Sequence, residues 1–415
     1  MFRRHLFILM LIFLGFCSSP PREVLYDLPV RQYNRVTTGL ENFLETETLK
    51  YRGKRLALVT NHSGVDFRLR SNIDLLRNRG LEIVLIFSPE HGLYGYKNFY
   101  EKERYSVDKK QNLIIYHLHK LNNRSLKKLL KNTDAVLFDI QDMGMRCYTY
   151  ISVLKFVMDT LKGSSIELVV LDRPNPLGFL GTDGAYLNNK FYSRHISSFP
   201  ATFMYDMTMG EAALYYRGEL VKNVNLRVIP MKNYSRDMYY HETMLPWIPP
   251  SPNLPTYESS IAYSAIVYLE GVNLSLGRGT PKPFEYIGAP WIDPMNFCNR
   301  LNGLKLKNFR FRPIYFSPTF SKYRNRKCGG VQIFYTGGKF SPTEVAYRII
   351  QLMEKHYIDL TWDKHTRKTY DIDHLSGSDL FRKFIIKGKS WEEYAAMTRE
   401  DAAQFDRLRK KYLLY

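Results

Sequence analysis

Between Arg55 and Asp172 the chain alternates short apolar runs with amphipathic ones, and this alternation limits the fold more than any other feature. The segments, in order, read RLALVT, SNIDLLRNRG, LEIVLIF, NLIIYHL, SLKKLLKN, DAVLFDI, TYISVLKFVMDTLKG and IELVVLD. Continuous apolar runs are typical of strands covered on both faces, and the amphipathic runs are typical of the helices that cover them. The pattern therefore predicts an α/β fold with right-handed β-α-β units and a parallel sheet.

Four of the predicted strands end in polar, turn-forming residues. These ends read TNHSG, SPEHG, DIQD and DRPNP. The carboxyl ends of parallel strands lie at one edge of a sheet, where open α/β folds bind ligands. One such end would be a weak signal because the same residue types also form ordinary turns. Four ends that carry acidic, imidazole and guanidinium groups predict the rim of a site.

The sequence lacks the motifs of several common nucleotide-binding and catalytic sites. The first strand is followed by TNHSG, which lacks the G-x-G-x-x-G pattern of dinucleotide-binding folds, and no G-x-x-x-x-G-K-[ST] phosphate-binding loop occurs. The G-x-S-x-G pattern of serine hydrolases is absent as well. The sequence thus argues against nucleotide chemistry and serine-dependent acyl transfer.

The amino-terminal segment MFRRHLFILMLIFLGFCSSPP predicts export. Two arginines precede an apolar stretch from Leu6 to Phe16, which is typical of a signal peptide (residues 1–16) and too short for a bilayer span of about 20 residues. The stretch Leu14-Gly15-Phe16-Cys17 resembles a lipoprotein cleavage box with Cys17 as the acylated residue. Phe16 is bulky for that box, so secretion without a lipid stays open. We expect an exported envelope protein, periplasmic or at the surface, with lipid attachment to the membrane favoured.

The formal net charge of +20 points to an anionic partner. Lysines and arginines are scattered, and short clusters such as Lys127-Lys128 fit the solvent face of a helix. For an exported chain, an anionic wall or membrane surface is a more plausible partner than nucleic acid. Apart from Cys17 the cysteines are Cys147, Cys298 and Cys328, which lack metal-ligand spacing and allow at most one intramolecular disulfide.

A proline-rich stretch, LPWIPPSPNLPTYESS, predicts an ordered loop or a domain boundary, because its closely spaced prolines fit no regular element. We place the boundary near Tyr257. The predicted organisation is a signal peptide (1–16), a linker (17–35), an α/β amino-terminal domain (36–257) and a smaller α+β carboxy-terminal domain (258–415).

Nine stretches together resemble a bacterial family of exo-β-N-acetylmuramidases, peptidoglycan hydrolases formerly catalogued as a domain of unknown function. The stretches are TNHSGV, IDLL, FSPEHGLYG, FDIQDMGMRCYTYI, VLDRPNPLG, MTMGE, PWIPPSPNLPT, LEGVNLSLGRGTPKPFEYIGAPWI and FSPTF. The resemblance implies a Rossmann-like amino-terminal domain with a mostly parallel sheet and a smaller carboxy-terminal domain. It implies a glycosidase whose interdomain cleft takes a terminal N-acetylmuramic acid from the non-reducing end of a glycan. The implied partner is a peptidoglycan glycan or muropeptide, with no metal or nucleotide cofactor, and for an exported chain we expect no nucleic acid partner.

The chain also departs from the family pattern. Residues 116–120 read YHLHK where the family has a Ser-Leu-Tyr-Gly stretch, Tyr205-Asp206 replace His-Gly, and Pro281 replaces an acidic residue or threonine. These changes leave an alternative open: a catalytically impaired, wall-binding surface lipoprotein of the same fold. A weaker alternative is an adhesin whose basic face binds polyanions.

Glycoside cleavage needs an acid to protonate the leaving oxygen and usually a second carboxylate as base or nucleophile. Glu90 is the first choice for the acid, and its alternative role is to brace a loop. His91 would bind the sugar or orient Glu90, or serve as a structural donor. Asp139 and Asp142 are the nearest candidates for the second carboxylate, although Asp139 also suits the capping of a turn.

Arg278, flanked by Gly277 and Gly279, suits the lactyl carboxylate that distinguishes muramic acid. Arg173 suits the same group, or an ion pair that holds a rim aspartate in place. The full set of substrate-binding candidates is Asn61, Arg146, Asp172, Arg173, Asn175, Glu270, Asn273, Arg278 and Glu285. Glu270 and Glu285 bracket the Arg278 loop and are also candidates for a base, whereas the asparagines equally suit turns.

Overall fold

Seven strands form a mostly parallel main sheet. In the computed structural model, which describes residues 33–96, 103–109 and 112–415, these strands are β1 (Arg55–Thr60), β2 (Glu82–Ser88), β3 (Tyr105–Asp108), β4 (Leu113–His117), β5 (Ala135–Asp139), β6 (Glu167–Leu171) and β7 (Leu226–Ile229). Their spatial order is β3-β4-β2-β1-β5-β6-β7. Every neighbouring pair is parallel except β3 with β4. The predicted α/β class is confirmed.

Alternate residues of the central strands face two different apolar clusters. In β1, Leu56 and Leu58 belong to one cluster and Ala57 and Val59 to the other, and all four are at most 1% exposed. Burial of apolar surface on both faces of a strand removes the need for polar residues at every second position. This two-sided burial explains the continuous apolar runs in the sequence.

Helices cover both faces of the main sheet. The described residues contain the α-helices α1 (Gly39–Thr46), α2 (Asn72–Asn78), α3 (Asn123–Leu130), α4 (Thr149–Leu161), α5 (Met209–Glu219), α6 (Tyr257–Ile266), α7 (Pro294–Gly303), α8 (Pro342–His356), α9 (Asp371–Ser376), α10 (Leu380–Ile386) and α11 (Trp391–Arg409). Residues of α1 and α2 join the smaller apolar cluster, and residues of α3, α4 and α5 join the larger one.

A second, antiparallel sheet follows in the carboxy-terminal part. It contains β8 (Tyr286–Ala289), β9 (Phe309–Phe316) and β10 (Cys328–Tyr335) in the spatial order β8-β10-β9. The larger apolar cluster is a single set of packed residues that includes both Ala57 in β1 and Phe405 in α11. The two predicted domains therefore share one core, and the boundary near Tyr257 stays a prediction.

The eight segments predicted between Arg55 and Asp172 all form the expected element, and four predicted strands, β2, β1, β5 and β6, are neighbours with the same direction. Their carboxyl ends therefore meet at one edge, as predicted. The remaining strands, β3, β7, β8, β9 and β10, lie outside these eight segments. In the described part of the chain, no helix is both long and apolar enough to cross a membrane.

The predicted signal peptide, most of the linker and Cys17 lie outside the described residues. The other three cysteines, Cys147, Cys298 and Cys328, are buried free thiols, so the single disulfide that the sequence allowed is not formed among them.

Candidate active site

A cavity of about 300 Å³ opens at the carboxyl edge of the main sheet, next to the end of β2. Ligand pockets in proteins span roughly 300–1,000 Å³, so this one suits a ligand about the size of a sugar. Its walls come from both halves of the chain, and the lining residues are Glu90, His91, Cys147, Tyr148, Thr149, Tyr150, Ile196, Ser251, Leu254, Tyr263, Glu270, Arg278, Phe284, Asp371 and Leu375. The cavity thus contains three carboxyl groups, one guanidinium and one imidazole.

Glu90 lies two residues beyond the end of β2 and is half-buried. The hydroxyl of Thr149, the first residue of α4, donates to Glu90 Oε2 at 3.0 Å. This bond holds one carboxyl oxygen and fixes the orientation of the side chain. The other oxygen keeps its hydrogen-bonding capacity for a ligand in the cavity.

The neighbouring Tyr150 connects three of the segments that meet here. Its hydroxyl donates to the Pro250 carbonyl at 2.7 Å and accepts from the Asn61 amide at 3.0 Å. The proline-rich loop, the end of β1 and the start of α4 are therefore tied together behind Glu90. Three buried tyrosines, Tyr148, Tyr150 and Tyr263, also line the cavity. The Tyr148 ring packs against the other two rings, so these tyrosines belong both to the core and to the cavity wall.

Glu270 and Arg278 form an ion pair in the cavity wall. The Nε and Nη2 groups of Arg278 each lie 2.8 Å from Glu270 Oε1, and its guanidinium lies 4.7 Å from the centre of the Phe284 ring. Burial lowers the pKa of Arg278, but Glu270, Tyr263 and Glu90 together outweigh this effect, so the net pKa is raised. Both carboxylates are thus within electrostatic reach of one guanidinium.

The glycines that flank Arg278 are required by the backbone. Gly277 has φ of 72° and Gly279 has φ of 79°, a left-handed conformation that other residues rarely adopt. A Cβ on Gly277 would also lie 2.8 Å from the Lys282 carbonyl oxygen. The tight loop turns Arg278 toward the cavity.

His91 lines the cavity beside Glu90. Its Nε2 lies 3.3 Å from the Ser251 hydroxyl, and its own φ of 71° places it in the left-handed region. The imidazole is therefore held by a side chain of the proline-rich loop and is placed to contact a ligand.

Asp371 is a lining residue that sequence reasoning missed. It begins α9, and its Oδ1 lies 2.9 Å from His365 Nδ1. Its backbone N–H donates to the Asp363 carbonyl at 3.0 Å. No motif surrounds Asp371, and it reaches the cavity by tertiary packing alone, so the sequence carries no local signal for it.

A smaller hollow of about 30 Å³ lies on another side of Glu90 and Thr149. It has the volume of about one or two water molecules. His119, Arg194 and His195 also line it. Burial lowers the pKa of His119 to about 4, so this imidazole is neutral at neutral pH. The YHLHK departure from the family pattern therefore contributes to the surroundings of Glu90.

Asp139 and Asp142, the predicted second carboxylates, are buried outside the cavity wall. Arg173 donates to Asp139 through Nε at 2.6 Å and Nη2 at 3.1 Å, and the Asn72 amide adds a bond of 2.7 Å. Asp142 accepts from the Gly144 N–H at 2.7 Å and from the Tyr205 hydroxyl. Burial raises the pKa of Asp142 to about 6. The geometry favours Glu270 or Asp371 over these two as partners of Glu90.

The other predicted binding residues make bonds within the protein and are not among the described residues that line the cavity. Arg173 is occupied by Asp139. The remaining contacts are Asn61 with Ser63 and Tyr150, Arg146 with the carbonyls of Ala185, Ala201 and Leu375, Asp172 with Thr208, Gly210 and Tyr415, Asn175 with Met207 and Leu177, Asn273 with Asp359 and Thr361, and Glu285 with Lys282.

The two other departures from the family pattern lie outside the cavity wall. Tyr205 is buried and donates to Asp142. Asp206 has φ of 44° and pairs with Arg236 and Arg409. Pro281 is exposed on the loop after Arg278.

Among the described residues no group of three His, Cys, Asp or Glu side chains is arranged to hold a metal ion.

Comparisons with known proteins agree with this architecture. Family models for the exo-β-N-acetylmuramidase NamZ match over residues 56–258 (N-terminal) and 261–415 (C-terminal). The peptidoglycan β-N-acetylmuramidase NamZ of Bacillus subtilis (strain 168) is 36% identical over 383 residues, which are 92% of each chain. Two crystal structures of DUF1343 family proteins from Bacteroides fragilis NCTC 9343 have TM-scores of 0.82 and 0.70 and are 32% and 30% identical, each over 92% of this chain and 99% of the other.

Proposed function

This chain belongs to the family of the exo-β-N-acetylmuramidase NamZ, and from that premise we propose that it removes terminal N-acetylmuramic acid from the non-reducing end of peptidoglycan glycans. The observation that carries the proposal is the convergence of Glu90, a second carboxylate and Arg278 on one cavity of sugar size. Glycosidases of the common type need such a pair of carboxyl groups on either side of the scissile bond.

Glu90 is the proposed general acid. In this role its carboxyl group donates a proton to the leaving oxygen as the glycosidic bond breaks. The Thr149 hydroxyl fixes Oε2 at 3.0 Å, which supports a defined orientation of the acid toward the cavity. His91, held by Ser251, is proposed to bind a sugar hydroxyl beside the reacting bond.

Glu270 is the proposed second carboxylate, with Asp371 as the other candidate in the cavity. Arg278 pairs with Glu270 and holds its carboxyl group in the cavity wall, where a second carboxylate would act as base or nucleophile. The bonds to Glu270 use one edge of the guanidinium fork, and the remaining N–H groups suit the lactyl carboxylate of muramic acid.

The test is the release of N-acetylmuramic acid from its disaccharide with N-acetylglucosamine, whose leaving oxygen must be protonated, by the wild type and by Glu90→Gln. Removal of a general acid typically costs about 10²–10⁴ in rate, so we expect at least a hundredfold loss of kcat on the disaccharide. A chromogenic N-acetylmuramide, whose nitrophenolate leaves without a proton, should keep more of its rate. Glu82→Gln is the matched control, because Glu82 is exposed at the opposite end of β2 and should leave the rate unchanged. A wild type that binds glycan strands without releasing the sugar would support the wall-binding alternative instead.

We also propose export to the cell envelope with a lipid on Cys17. The support is the signal pattern of residues 1–16 and the cleavage box that ends at Cys17. Membrane fractionation of wild type and Cys17→Ser tests this proposal. We expect the wild type in the membrane fraction and the variant in the soluble envelope fraction, and equal distribution of the two would contradict lipid attachment.

A further inference from the structure

The connection between β9 and β10 (residues 317–327, SPTFSKYRNRK) is strongly basic. It contains Lys322, Arg324, Arg326 and Lys327 and no acidic residue. We call it the β9–β10 connection. None of its residues lines the cavity, yet it lies directly against two segments that do.

Two contacts attach the connection to the cavity wall. The Thr319 N–H donates to the Gly279 carbonyl at 3.0 Å, and a Cβ on Gly279 would lie 3.0 Å from a ring carbon of Phe320. Gly279 directly follows Arg278, which lines the cavity. The Phe320 ring, which is 48% exposed, is therefore one residue away from the cavity wall.

The second contact is made by Lys322. Its ammonium donates to the backbone carbonyl of Glu270 at 2.8 Å, and Glu270 is also part of the cavity wall. The β9–β10 connection is thus fixed to two of the segments that line the cavity, those of Glu270 and Arg278.

The outer face of the connection carries unneutralised positive charge. Arg324, Arg326 and Lys327 are exposed, and the described part of the chain offers none of them an ion pair with a carboxylate. The Lys327 ammonium lies 4.2 Å from the ring centre of Tyr315, which is 61% exposed. Exposed cations next to exposed aromatic rings form a surface that suits an anionic ligand with flat apolar faces.

We propose that the β9–β10 connection binds the part of the glycan strand that continues beyond the scissile bond; this inference rests on the proposed function. An exo-acting enzyme encloses one terminal sugar, and the rest of the strand leaves through the open side of the cavity. A strand freed of peptide carries a lactyl carboxylate on every second sugar. The three exposed cations pair with these carboxylates, and the C–H face of a sugar ring packs on Phe320.

The experiment compares two substrates and two charge variants. The substrates are the chromogenic N-acetylmuramide, which has no continuing strand, and peptide-free glycan strands of several disaccharides. The variants are the triple change Arg324→Gln, Arg326→Gln, Lys327→Gln and, as control, the triple change Arg124→Gln, Lys127→Gln, Lys128→Gln on α3, where all three residues are exposed.

We expect the triple variant of the connection to lose roughly tenfold in kcat/KM on strands, because an exposed ion pair typically contributes about twofold and three of them act together. Its rate on the chromogenic substrate should change less than twofold, and the α3 variant should match the wild type on both. Phe320→Ala should likewise lose activity on strands alone.

Equal losses on both substrates, or equal losses in the two triple variants, would overturn the inference. Binding to phosphatidylglycerol vesicles that depends on the connection, with strand kinetics unchanged, would overturn it in favour of a lipid surface. If the wild type cleaves neither substrate, the proposed function fails. The inference is then tested separately, by measuring the affinity of the protein for glycan strands in a binding titration. Weaker strand binding by the connection variant than by the α3 variant supports it, and equal binding overturns it.

Discussion

At the scale of single residues, the orientation of Glu90 rests on one hydroxyl. The Thr149 side chain donates to Glu90 Oε2, and Thr149 begins a helix whose position is set by core packing. An intramolecular hydrogen bond typically contributes about 0.5–1.5 kcal/mol, enough to favour one rotamer of a half-buried side chain. The packed position of α4 therefore helps to fix the orientation of the Glu90 side chain.

Thr149→Val should therefore lower kcat on the disaccharide by roughly tenfold, since the shape is kept and the bond to Glu90 is lost. Thr160→Val is the matched control: Thr160 lies on the same helix and its hydroxyl donates to Phe156, away from the cavity. Steady-state kinetics of both variants provide the measurement. A full rate in Thr149→Val, or an equal loss in the control, would argue against this orienting role.

Asp172 gives a prediction about pH. Burial raises the pKa of its carboxyl to about 7, and the neighbouring Glu211 acts in the same direction. The folded-state pKa exceeds the unfolded value, so folded protein holds this proton more tightly. The stability from this group is complete below about pH 4 and is lost as the pH rises through 7.

Asp172→Asn keeps a neutral group at every pH and should remove this loss. Between pH 5 and pH 8 the free energy of unfolding of the wild type should fall by on the order of 3 kcal/mol more than that of the variant. Urea unfolding at the two pH values measures the difference. Parallel pH profiles for the two proteins would show that the Asp172 carboxyl does not titrate in this range.

The sequence predicted part of the site at this scale. Glu90, His91, Glu270 and Arg278 were candidates, and the structure brings these four together. Asp139 and Arg173 also lie at strand ends, but they form an ion pair with each other. This pairing depends on how the neighbouring strands β5 and β6 align their side chains. Sequence patterns predict the sheet edge at which a residue lies, but they do not predict which side chain it will contact there.

At the scale of elements, strand ends and loops from distant parts of the chain converge on the cavity. Lys322 of the β9–β10 connection is central to this arrangement. Its ammonium donates to the Glu270 carbonyl and to the Asp363 carboxylate, while the Asp363 carbonyl accepts from the N–H of Asp371. One lysine thus links the segments that carry both candidates for the second carboxylate.

Lys322→Met should separate these segments. We expect a loss of roughly tenfold or more in kcat on the chromogenic substrate and a destabilisation of about 1–3 kcal/mol, because the acceptors lose a charged donor. Lys327→Met in the same connection is the control, since Lys327 packs on an exposed ring and should leave this substrate's rate unchanged. Wild-type kinetics in Lys322→Met would contradict the linking role.

The elements that escaped prediction have physical reasons in common. β9 reads FRFRPIYF, whose alternation is broken by a proline, and β8 has four residues with a glycine among them. β3 is likewise short and lies at the edge of the main sheet. Short and edge strands bury little apolar surface, so they leave a weak trace in the sequence.

At the scale of the whole molecule, one core joins the main sheet to the carboxy-terminal helices. The end of the chain packs against the carboxyl edge of the main sheet, where the Tyr415 hydroxyl donates to Asp172 and Arg409 pairs with Asp206. Both walls of the cavity therefore belong to one continuously packed body. This packing explains how residues as distant in sequence as Glu90 and Asp371 hold one geometry.

The central claim is that Glu90 acts on a glycosidic bond within this cavity. A crystal structure of Glu90→Gln with a bound peptide-free glycan tests it most directly. We predict the terminal N-acetylmuramic acid in the cavity, its glycosidic oxygen within hydrogen-bond distance of the Gln side chain at position 90, and the strand leaving along the β9–β10 connection. A terminal sugar bound elsewhere, or one whose glycosidic oxygen lies beyond reach of residue 90, would contradict the claim.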